Sequence, residues 1–274
     1  MSIPRAIVTG ATGFIGRNLV AGLAAGGWEV LCAVRKPAQP ILEGVKAQVV
    51  DWAQDDSLQR FFSAAGPAKA FFHLGAALPT HQGGTLTEAD YNRVNAEGTA
   101  SLLKEALRAG IKNFVHASSI SVIGKPVQIP VREDHPAEPA SAYSLSKLSA
   151  ERSCETARSQ NPSARIVLLR ITSPYGPGMP TSSVLPGFVM KALAGEELHW
   201  MGQGARTQNF IHVRDLVQLF LKAASAPEGG IFNAGGAGSI GMRDLAELIV
   251  RLVPGSKASA SGQHRPVPSM DRSV

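Results

Sequence analysis

A tyrosine and a lysine four positions apart are the residues of this chain best suited to proton transfer. They are Tyr143 and Lys147, in the segment Tyr143-Ser144-Leu145-Ser146-Lys147. On a helix, residues at i and i+4 share a face, so the phenol and the amine would be neighbours. A phenol is a poor acid or base near neutral pH unless something stabilises its anion, and a nearby ammonium does that. Because many helices carry such a pair as a surface contact, the interpretation needs support from the rest of the chain.

A glycine-rich turn near the N-terminus supplies that support. The segment Gly10-Ala11-Thr12-Gly13-Phe14-Ile15-Gly16 follows a short β-rich run and opens a stretch of helical periodicity. Glycines at this spacing let the chain turn tightly, let the backbone approach a pyrophosphate and let the helix pack on the strand. The helix N-terminus then offers free N–H groups to phosphates. We therefore predict a dinucleotide site, whose oxidised nicotinamide would add a second positive charge beside Tyr143.

The end of the second predicted strand bears on the choice of dinucleotide. It lies about 20 residues past the glycines, where an Asp or Glu would bind the ribose 2′-hydroxyl of NAD. The chain has Arg35 and Lys36 there. Arg35 cannot accept that hydrogen bond but can pair with a 2′-phosphate, and Lys36 adds a charge. We favour NADP over NAD; the alternative is two solvated surface cations. Asp51, followed by Trp52, is placed to meet the adenine edge.

Strand and helix signals alternate through the first half of the chain. Such alternation, with short Gly-rich turns, indicates an α/β fold with a Rossmann-type doubly wound parallel sheet. Strands are predicted at 6–9, 28–34, 47–50, 70–74, 113–117 and 165–170, and helices at 14–25, 55–65, 87–109 and 142–158.

Beyond the sixth strand the pattern loosens. We expect a Rossmann domain over 1–172 and a smaller C-terminal substrate-binding lobe over 173–274, interleaved with it, with a loose Ser-, Gly- and Pro-rich tail after Pro254. A rigid loop is expected at 174–180, short strands at 198–201 and 209–212, and helices at 184–194, 213–224 and 242–252.

Composition limits the possible functions. The chain of 274 residues is 44% hydrophobic, which is enough for a substantial core. Its net charge of +6 is spread without a basic run, which argues against a nucleic-acid partner and fits attraction of phosphate-bearing small molecules. Cys32 and Cys154 lack metal-ligand spacing, which favours free thiols in a reducing compartment. We expect a soluble cytoplasmic protein with neither a metal nor a membrane span.

Further segments make the chain resemble the extended short-chain dehydrogenase/reductase superfamily, and within it the NAD(P)-dependent epimerase/dehydratase group. They include His73-Leu74-Gly75-Ala76-Ala77, Ser118-Ser119 and Pro174-Tyr175-Gly176-Pro177-Gly178. The matching segments follow the family's order over nearly the whole chain, at 9–16, 73–77, 94–99, 118–119, 143–147, 174–178 and 210–216.

The resemblance implies a role for each residue of the site. Tyr143 is the expected general acid/base, and Lys147 is expected to hold the nicotinamide ribose and to lower the pKa of the tyrosine. Ser119 is expected to orient the substrate hydroxyl or carbonyl, and is preferred to Ser118 because of its spacing to Gly124. The expected cofactor-binding set comprises Gly10, Thr12, Gly13, Phe14, Ile15, Gly16, Arg35, Lys36, Asp51, Trp52, Leu74, Gly75, Ala76, Asn95, Ala117, Tyr143, Lys147 and Pro174.

Hydride transfer at a sugar or sugar-like carbinol is the activity that the resemblance implies, in a nucleotide-sugar epimerase or 4-keto-sugar reductase. A 4,6-dehydratase would usually need a carboxylate next to the serine, whereas Ser119 is followed by Ile120-Ser121. We interpret His73, His116 and His212 as satisfied core histidines, because none has the partners of a catalytic triad or a metal site.

Two positions depart from the nucleotide-sugar enzymes of the group. Those enzymes tend to have Asn shortly after the sixth strand and Arg just before the Phe-Ile-His segment, where this chain has Ser173 and Gln208, with Arg206 close by. This keeps open a reductase of non-nucleotide ketones or aldehydes, like the dihydroflavonol reductase branch, which also has Arg at the place of Arg35. A non-catalytic NADP-binding regulator is disfavoured because the chain keeps both Tyr143 and Lys147.

The resemblance also bears on assembly and length. Family members commonly dimerise through two long helices, here those predicted at 87–109 and 142–158, so a homodimer is expected. They typically continue past the position of Val274 with another helical stretch, so we expect either a chain truncated at its C-terminal end or a form with a shortened substrate lobe.

Overall fold

The computed structural model describes residues 3–37, 41–52, 54–79, 86–253 and 260–263. The strands are β1 Arg5–Thr9, β2 Glu29–Val34, β3 Lys46–Val49, β4 Ala70–His73, β5 Asn113–Ser119, β6 Arg165–Ile171, β7 Ser173–Tyr175, β8 Leu198–Met201, β9 Thr207–His212, β10 Gly230–Ala234, β11 Ser239–Gly241 and β12 Ala260–Gln263. The α-helices are α1 Phe14–Ala25, α2 Asp55–Ala65, α3 Glu88–Tyr91, α4 Gly98–Arg108, α5 Ala142–Gln160, α6 Val184–Leu193, α7 Val213–Ala223 and α8 Met242–Leu252.

A parallel sheet of seven strands organises the first part of the chain. Its order is β10-β6-β5-β4-β1-β2-β3, and every neighbouring pair is parallel. The order reverses direction between β1 and β4, which in doubly wound sheets marks the crevice at the carboxyl ends of the strands where ligands bind. The predicted Rossmann-type fold is confirmed.

The described chain groups into two compact units that alternate along the sequence. One contains Met1–Thr172 with Val213–Ala234, and the other contains Ser173–His212 with Gly235–Val274. In the second unit, β9 pairs with β7 in parallel and with β11 antiparallel, and β8 pairs with β12. A separate apolar cluster formed by α6, α8 and β8 is its core. The substrate-binding role of this second unit stays a prediction.

The core of the first unit lies against the sheet. β4 is buried along its whole length, as expected for a parallel strand covered on both faces. Phe71 on β4 stacks on Phe114 of β5 with ring centroids 5.3 Å apart. Within the described residues, no helix combines the length and the apolar character that crossing a bilayer requires.

The long helix predicted at 87–109 is interrupted in the structure. It consists of α3, a π-helical segment at Asn92–Glu97, and α4. Thr87 begins it with a capping box, in which the Thr87 hydroxyl accepts from the Asp90 N–H and the Asp90 carboxylate accepts from the Thr87 N–H. The π-helical segment carries Asn95, whose side chain bonds partners far away in the sequence, at Ala77 and Ser146.

Several short strands are absent from the sequence-based assignment. β7 was expected as part of a rigid loop, and β10 and β11 were not expected as strands at all. The loose tail predicted after Pro254 lies mostly outside the described residues, while its described part, β12, is a strand. These segments are three to five residues long, so their pairing partners decide their conformation more than their own composition does.

A buried ion pair joins α5 to the sheet. Arg170 on β6 and Glu151 on α5 lie 2.8 Å apart, with side chains 5% and 2% exposed. Glu151 also accepts a hydrogen bond from the Ser118 hydroxyl on β5 at 2.5 Å. Arg170 additionally donates to the Glu133 carbonyl at 3.0 Å. Both charged groups of the pair are thus satisfied. The bonds of Glu151 to Arg170 on β6 and to Ser118 on β5 hold the middle of α5 at one position against these strands.

We expect Glu151→Gln to lower the free energy of unfolding by about 3–5 kcal/mol, because it leaves the Arg170 guanidinium buried without a counter-charge. Urea unfolding measures the loss. Glu155→Gln on the same helix is the matched control, since it breaks only the exposed pair with Arg158 and should cost under about 1 kcal/mol. Equal losses in the two variants would contradict the assignment of the buried pair.

Candidate active site

The glycine-rich turn follows β1 at the point where the strand order reverses. Gly10 has φ +67°, a conformation that favours glycine, and a Cβ there would lie 2.6 Å from the carbonyl carbon of Leu74. A Cβ at Gly16 would overlap the Gly10 carbonyl oxygen. Both positions therefore require glycine. Gly10 does because the segment after β4 passes close to it, and Gly16 does because the start of α1 lies against the Gly10 carbonyl.

The N-terminus of α1 is open to an anion. Gly13 is the N-cap residue with extended backbone, no side chain caps the helix, and its first turn contains no acidic residue. The first N–H groups of the helix, on Phe14, Ile15 and Gly16, have no acceptor within the helix. Thr12 is exposed beside them, and its carbonyl accepts from Arg17 Nε at 3.0 Å. A tight glycine-rich turn that opens a 12-residue helix without a side-chain cap fits the pyrophosphate of a dinucleotide.

Cationic side chains lie past the end of β2. Arg35 and Lys36 are both exposed. The guanidinium carbon of Arg35 lies 6.0 Å from the ring centroid of Trp52, within the range of a cation–π contact. Asp51 is exposed and accepts from Gln54 Nε2 at 3.0 Å. The arrangement places one positively charged group over the face of a buried aromatic ring.

Trp52 fills the space beside the segment that follows β4. It is 6% exposed, and a Cβ at Gly75 would lie 2.9 Å from its ring. A Cβ at Gly98, the first residue of α4, would lie 2.8 Å from the same ring. Leu74 and Gly75 therefore lie between the glycine turn and this indole. That Leu74, Gly75 and Ala76 line a cofactor stays a prediction.

Asn95 ties that segment to α5. Its side chain is buried, accepts from the Ala77 N–H at 2.7 Å and donates to the Ala77 carbonyl at 3.0 Å. It also donates to the Ser146 hydroxyl on α5 at 3.0 Å. This amide thus bonds both the chain following β4 and the helix that carries Tyr143 and Lys147.

Tyr143 lies in the first turn of α5. Ser141 caps the helix by accepting from the Ser144 N–H at 3.2 Å. The Tyr143 ring meets Tyr91 edge-on with centroids 6.0 Å apart, and the Ser119 hydroxyl bonds the Ser121 hydroxyl at 2.9 Å. Burial raises the pKa of Tyr143, while the Ser119 side chain acts in the opposite direction. Of the two serines, Ser119 is therefore the one that affects the pKa of the phenol, whereas Ser118 bonds Glu151.

Lys147 is fully buried, and its amine bonds to β5. Nζ donates to the Ala117 carbonyl at 2.7 Å and lies 3.0 Å from Nε2 of His116. Burial lowers the pKa of Lys147 to about 8, with Cys154 and Glu151 acting in the opposite direction. We expected Lys147 to lower the pKa of Tyr143; in the structure that pKa is raised, because burial dominates and the Lys147 amine bonds β5 instead.

The family model described as the NAD dependent epimerase/dehydratase family matches residues 6–235. The chain belongs to this family. It is 31% identical to a UDP-glucose 4-epimerase of Mycolicibacterium smegmatis over 91% of this chain and 82% of the relative. It is 30% identical to an ADP-L-glycero-D-manno-heptose-6-epimerase of Cupriavidus pinatubonensis over 89% of this chain and 76% of the relative.

Among solved structures, MoeE5 in complex with UDP-glucose and NAD matches the fold with a TM-score of 0.78 at 27% identity, covering 94% of this chain and 85% of that one. The resemblance to the extended short-chain dehydrogenase/reductase superfamily is thereby confirmed. The chain is an enzyme of the NAD-dependent epimerase/dehydratase type.

The histidines of this epimerase/dehydratase-family enzyme differ from one another. His73 is buried and satisfied at both ring nitrogens, by Thr9 at 2.7 Å and Thr99 at 2.9 Å, as predicted. His116 is buried too, but its Nδ1 has no partner among the described residues, so the prediction of a satisfied histidine is wrong there. His212 is half-buried and meets the Tyr175 ring edge-on at 5.1 Å, so it is not a core histidine.

The second unit contains the remaining predicted site residues. Pro174 lies on β7, in register with Ile211 of β9. Gln208 on β9 donates to the Ser173 hydroxyl at 2.5 Å. The two residues that depart from the nucleotide-sugar pattern therefore satisfy each other's polar groups.

Sequence reasoning missed residues that support the site. Tyr91, Ser146 and His116 contact Tyr143, Asn95 and Lys147 respectively. One signal was available in the sequence. Polar residues at 116 and 118 alternate along a buried strand, which places their side chains on one face. Polar residues at 147 and 151 share a helix face. The strand pair 116/118 and the helix pair 147/151 can therefore face each other when strand and helix pack together.

Proposed function

We propose that this enzyme transfers hydride at a carbinol carbon of a nucleotide sugar, as an epimerase or a 4-keto-sugar reductase. The observation that carries the proposal is the position of Tyr143 on α5, one helical turn before the buried Lys147, whose amine bonds the Ala117 carbonyl on β5, the strand that ends at Ser119. Relatives whose names include UDP-glucose 4-epimerase and ADP-L-glycero-D-manno-heptose-6-epimerase support a nucleotide-sugar substrate.

In this proposal the chain's own side chains bind, orient and move one proton. When bound, the dinucleotide accepts the hydride and returns it. Gly10, Gly13, Gly16 and the α1 N-terminus hold its phosphates, and Lys147 holds its ribose. Tyr143 donates its proton to the carbonyl oxygen on reduction and takes it back on oxidation. Because burial raises the pKa of the phenol, the Ser119 side chain, which acts in the opposite direction, favours the phenolate needed for the second step.

We expect Tyr143→Phe to abolish turnover, by at least about 100-fold in kcat, because the proton donor is lost. NADPH binding, followed by fluorescence, should change little, since the glycine turn is untouched. An unchanged melting temperature confirms that the variant is folded. Full activity in this folded variant would remove Tyr143 from the chemistry.

We further propose NADP as the preferred cofactor, with Arg35 and Lys36 facing the 2′-phosphate. Both cations are exposed, and Trp52 holds the Arg35 guanidinium over its ring. We expect Arg35→Asp to weaken NADP binding by about tenfold or more and to improve NAD binding, since a charge-assisted pair is lost. Arg60→Asp, an exposed cation on α2, is the control and should leave the NADP/NAD affinity ratio unchanged. A constant ratio in Arg35→Asp would refute the assignment.

A second candidate function is reduction of ketones or aldehydes that carry no nucleotide. The observation that favours it is the hydrogen bond that Gln208 donates to Ser173, a pair that provides no positive charge where relatives are expected to grip a diphosphate. Arg206 lies two residues before Gln208 and would be the alternative cation.

Substrate scanning separates the two functions. With enzyme and substrate mixed in comparable amounts, we expect UDP-, ADP- or dTDP-hexoses to change the absorbance of the nicotinamide band with either cofactor, transiently for an epimerase and lastingly for a reductase, while simple ketones leave it unchanged. The Tyr143→Phe variant serves as the blank. The opposite pattern, with turnover of ketones alone, would replace the first function by the second. The homodimer through the helices predicted at 87–109 and 142–158, and the cytoplasmic location, stay predictions.

A further inference from the structure

His116 is a buried residue whose polar atoms are only half used. It lies on β5 with no exposed surface, and its Nε2 is 3.0 Å from Nζ of Lys147. Its Nδ1 is buried without a partner among the described residues. The neighbouring His73, whose ring stacks on it at 5.1 Å, has both nitrogens bonded. The two rings share one environment but differ in how completely their polar groups are satisfied.

The contact with Lys147 determines the protonation of the ring. An ammonium only donates, so Nε2 of His116 accepts and the proton of the neutral ring is on Nδ1. Protonating the ring as well would put two cations 3.0 Å apart, away from water. Burial first, and Lys147 second, hold the pKa of His116 well below its ordinary value. The His116 ring is therefore neutral when the Lys147 amine is charged.

The unpartnered nitrogen argues against a purely structural role for the ring. A leucine or phenylalanine at 116 would fill the site without a stranded N–H group. The nitrogen that is used, Nε2, contacts only the amine among the described partners of this ring. Nε2 of His116 therefore serves as an acceptor for Lys147, while Nδ1 is buried without a partner among the described residues.

We propose that His116 is a positioning residue, which accepts one ammonium proton of Lys147 and so fixes the direction of the amine. The Ala117 carbonyl accepts a second proton, at 2.7 Å. One N–H of Lys147 remains for the cofactor or substrate. This inference rests on the proposed role of Lys147 in holding the cofactor ribose.

The same hydrogen bond favours the charged form of Lys147. Since burial lowers the pKa of Lys147 to about 8 from 10.5, the unfolded chain binds this proton more tightly. The free energy of unfolding therefore rises with pH across that window, from about 8 to 10.5. The other titratable or charged groups near Lys147 and its partners are Glu151 and Cys154 on α5, His73 on β4, Arg170 on β6, and the Tyr143–Tyr91 pair of α5 and α3.

A pH series of urea unfolding tests the inference without substrate or cofactor. Each protein is compared with its own Lys147→Met counterpart, so that the difference reports Lys147 alone. In His116→Leu we expect the free energy of unfolding to begin its rise at a pH about one unit or more lower than in the wild type, because the ammonium has lost an acceptor. His116→Gln keeps an acceptor and should restore the wild-type onset. Phe114→Leu, also buried on β5, should lower stability without moving the onset.

His116→Phe replaces His116→Leu if the leucine variant does not fold. The inference is overturned if the free energy of unfolding begins to rise at the same pH in the wild type and in the variant without an acceptor. It is also overturned if His116→Gln lowers that pH as much as His116→Leu does. NADPH fluorescence titration at pH 8 gives the functional readout, with about fivefold or greater weakening expected for His116→Leu and under twofold for His116→Gln. A wild type that binds neither NADPH nor NADH would refute the proposed function, while the unfolding series would still test the His116–Lys147 contact.

Discussion

Burial of one ammonium group, that of Lys147, is the constraint on which the site depends. A charge removed from water must be met by acceptors, and β5 supplies two of them, the Ala117 carbonyl and the His116 ring. Both can reach the amine only if α5 crosses β5 at one position along its length. The Glu151–Ser118 bond, one helical turn further on, requires the same position. Two independent polar contacts therefore specify a single register between helix and strand.

The same helix carries the phenol. Tyr143 is one turn before Lys147 on α5, and the side chain of Ser119, the last residue of β5, acts to lower its pKa. Asn95 holds the same helix to the segment after β4 through Ser146 and Ala77. The elements that would carry the proton and those that would carry the cofactor are thus joined by hydrogen bonds within the first unit. The lowered pKa of Lys147 is the energetic cost of this arrangement, because its charge is held where water does not reach.

Glycine positions and the periodicity of apolar residues could be read from the sequence. The hydrogen bonds between segments far apart in the chain could not. The turn at Gly10 and Gly16 was predicted because glycine alone permits that backbone path. The interruption of the helix at Asn92–Glu97 was not, because it depends on what Asn95 meets in the folded chain. The strand β10 was missed for a similar reason, since five residues become a strand by pairing with β6. Local preference decides long elements, and partners decide short ones.

The sequence by itself determined the alternation that builds the parallel sheet, the glycine turn at its switch point, and the spacing of Tyr143 and Lys147. Each of these depends on residues close together in the chain. Only the tertiary structure decided that Ser118 bonds Glu151, that burial raises the pKa of Tyr143, and that Nδ1 of His116 has no partner among the described residues. These depend on desolvation and on contacts between residues tens of positions apart, which arise when β5 and α5 pack together and exclude water.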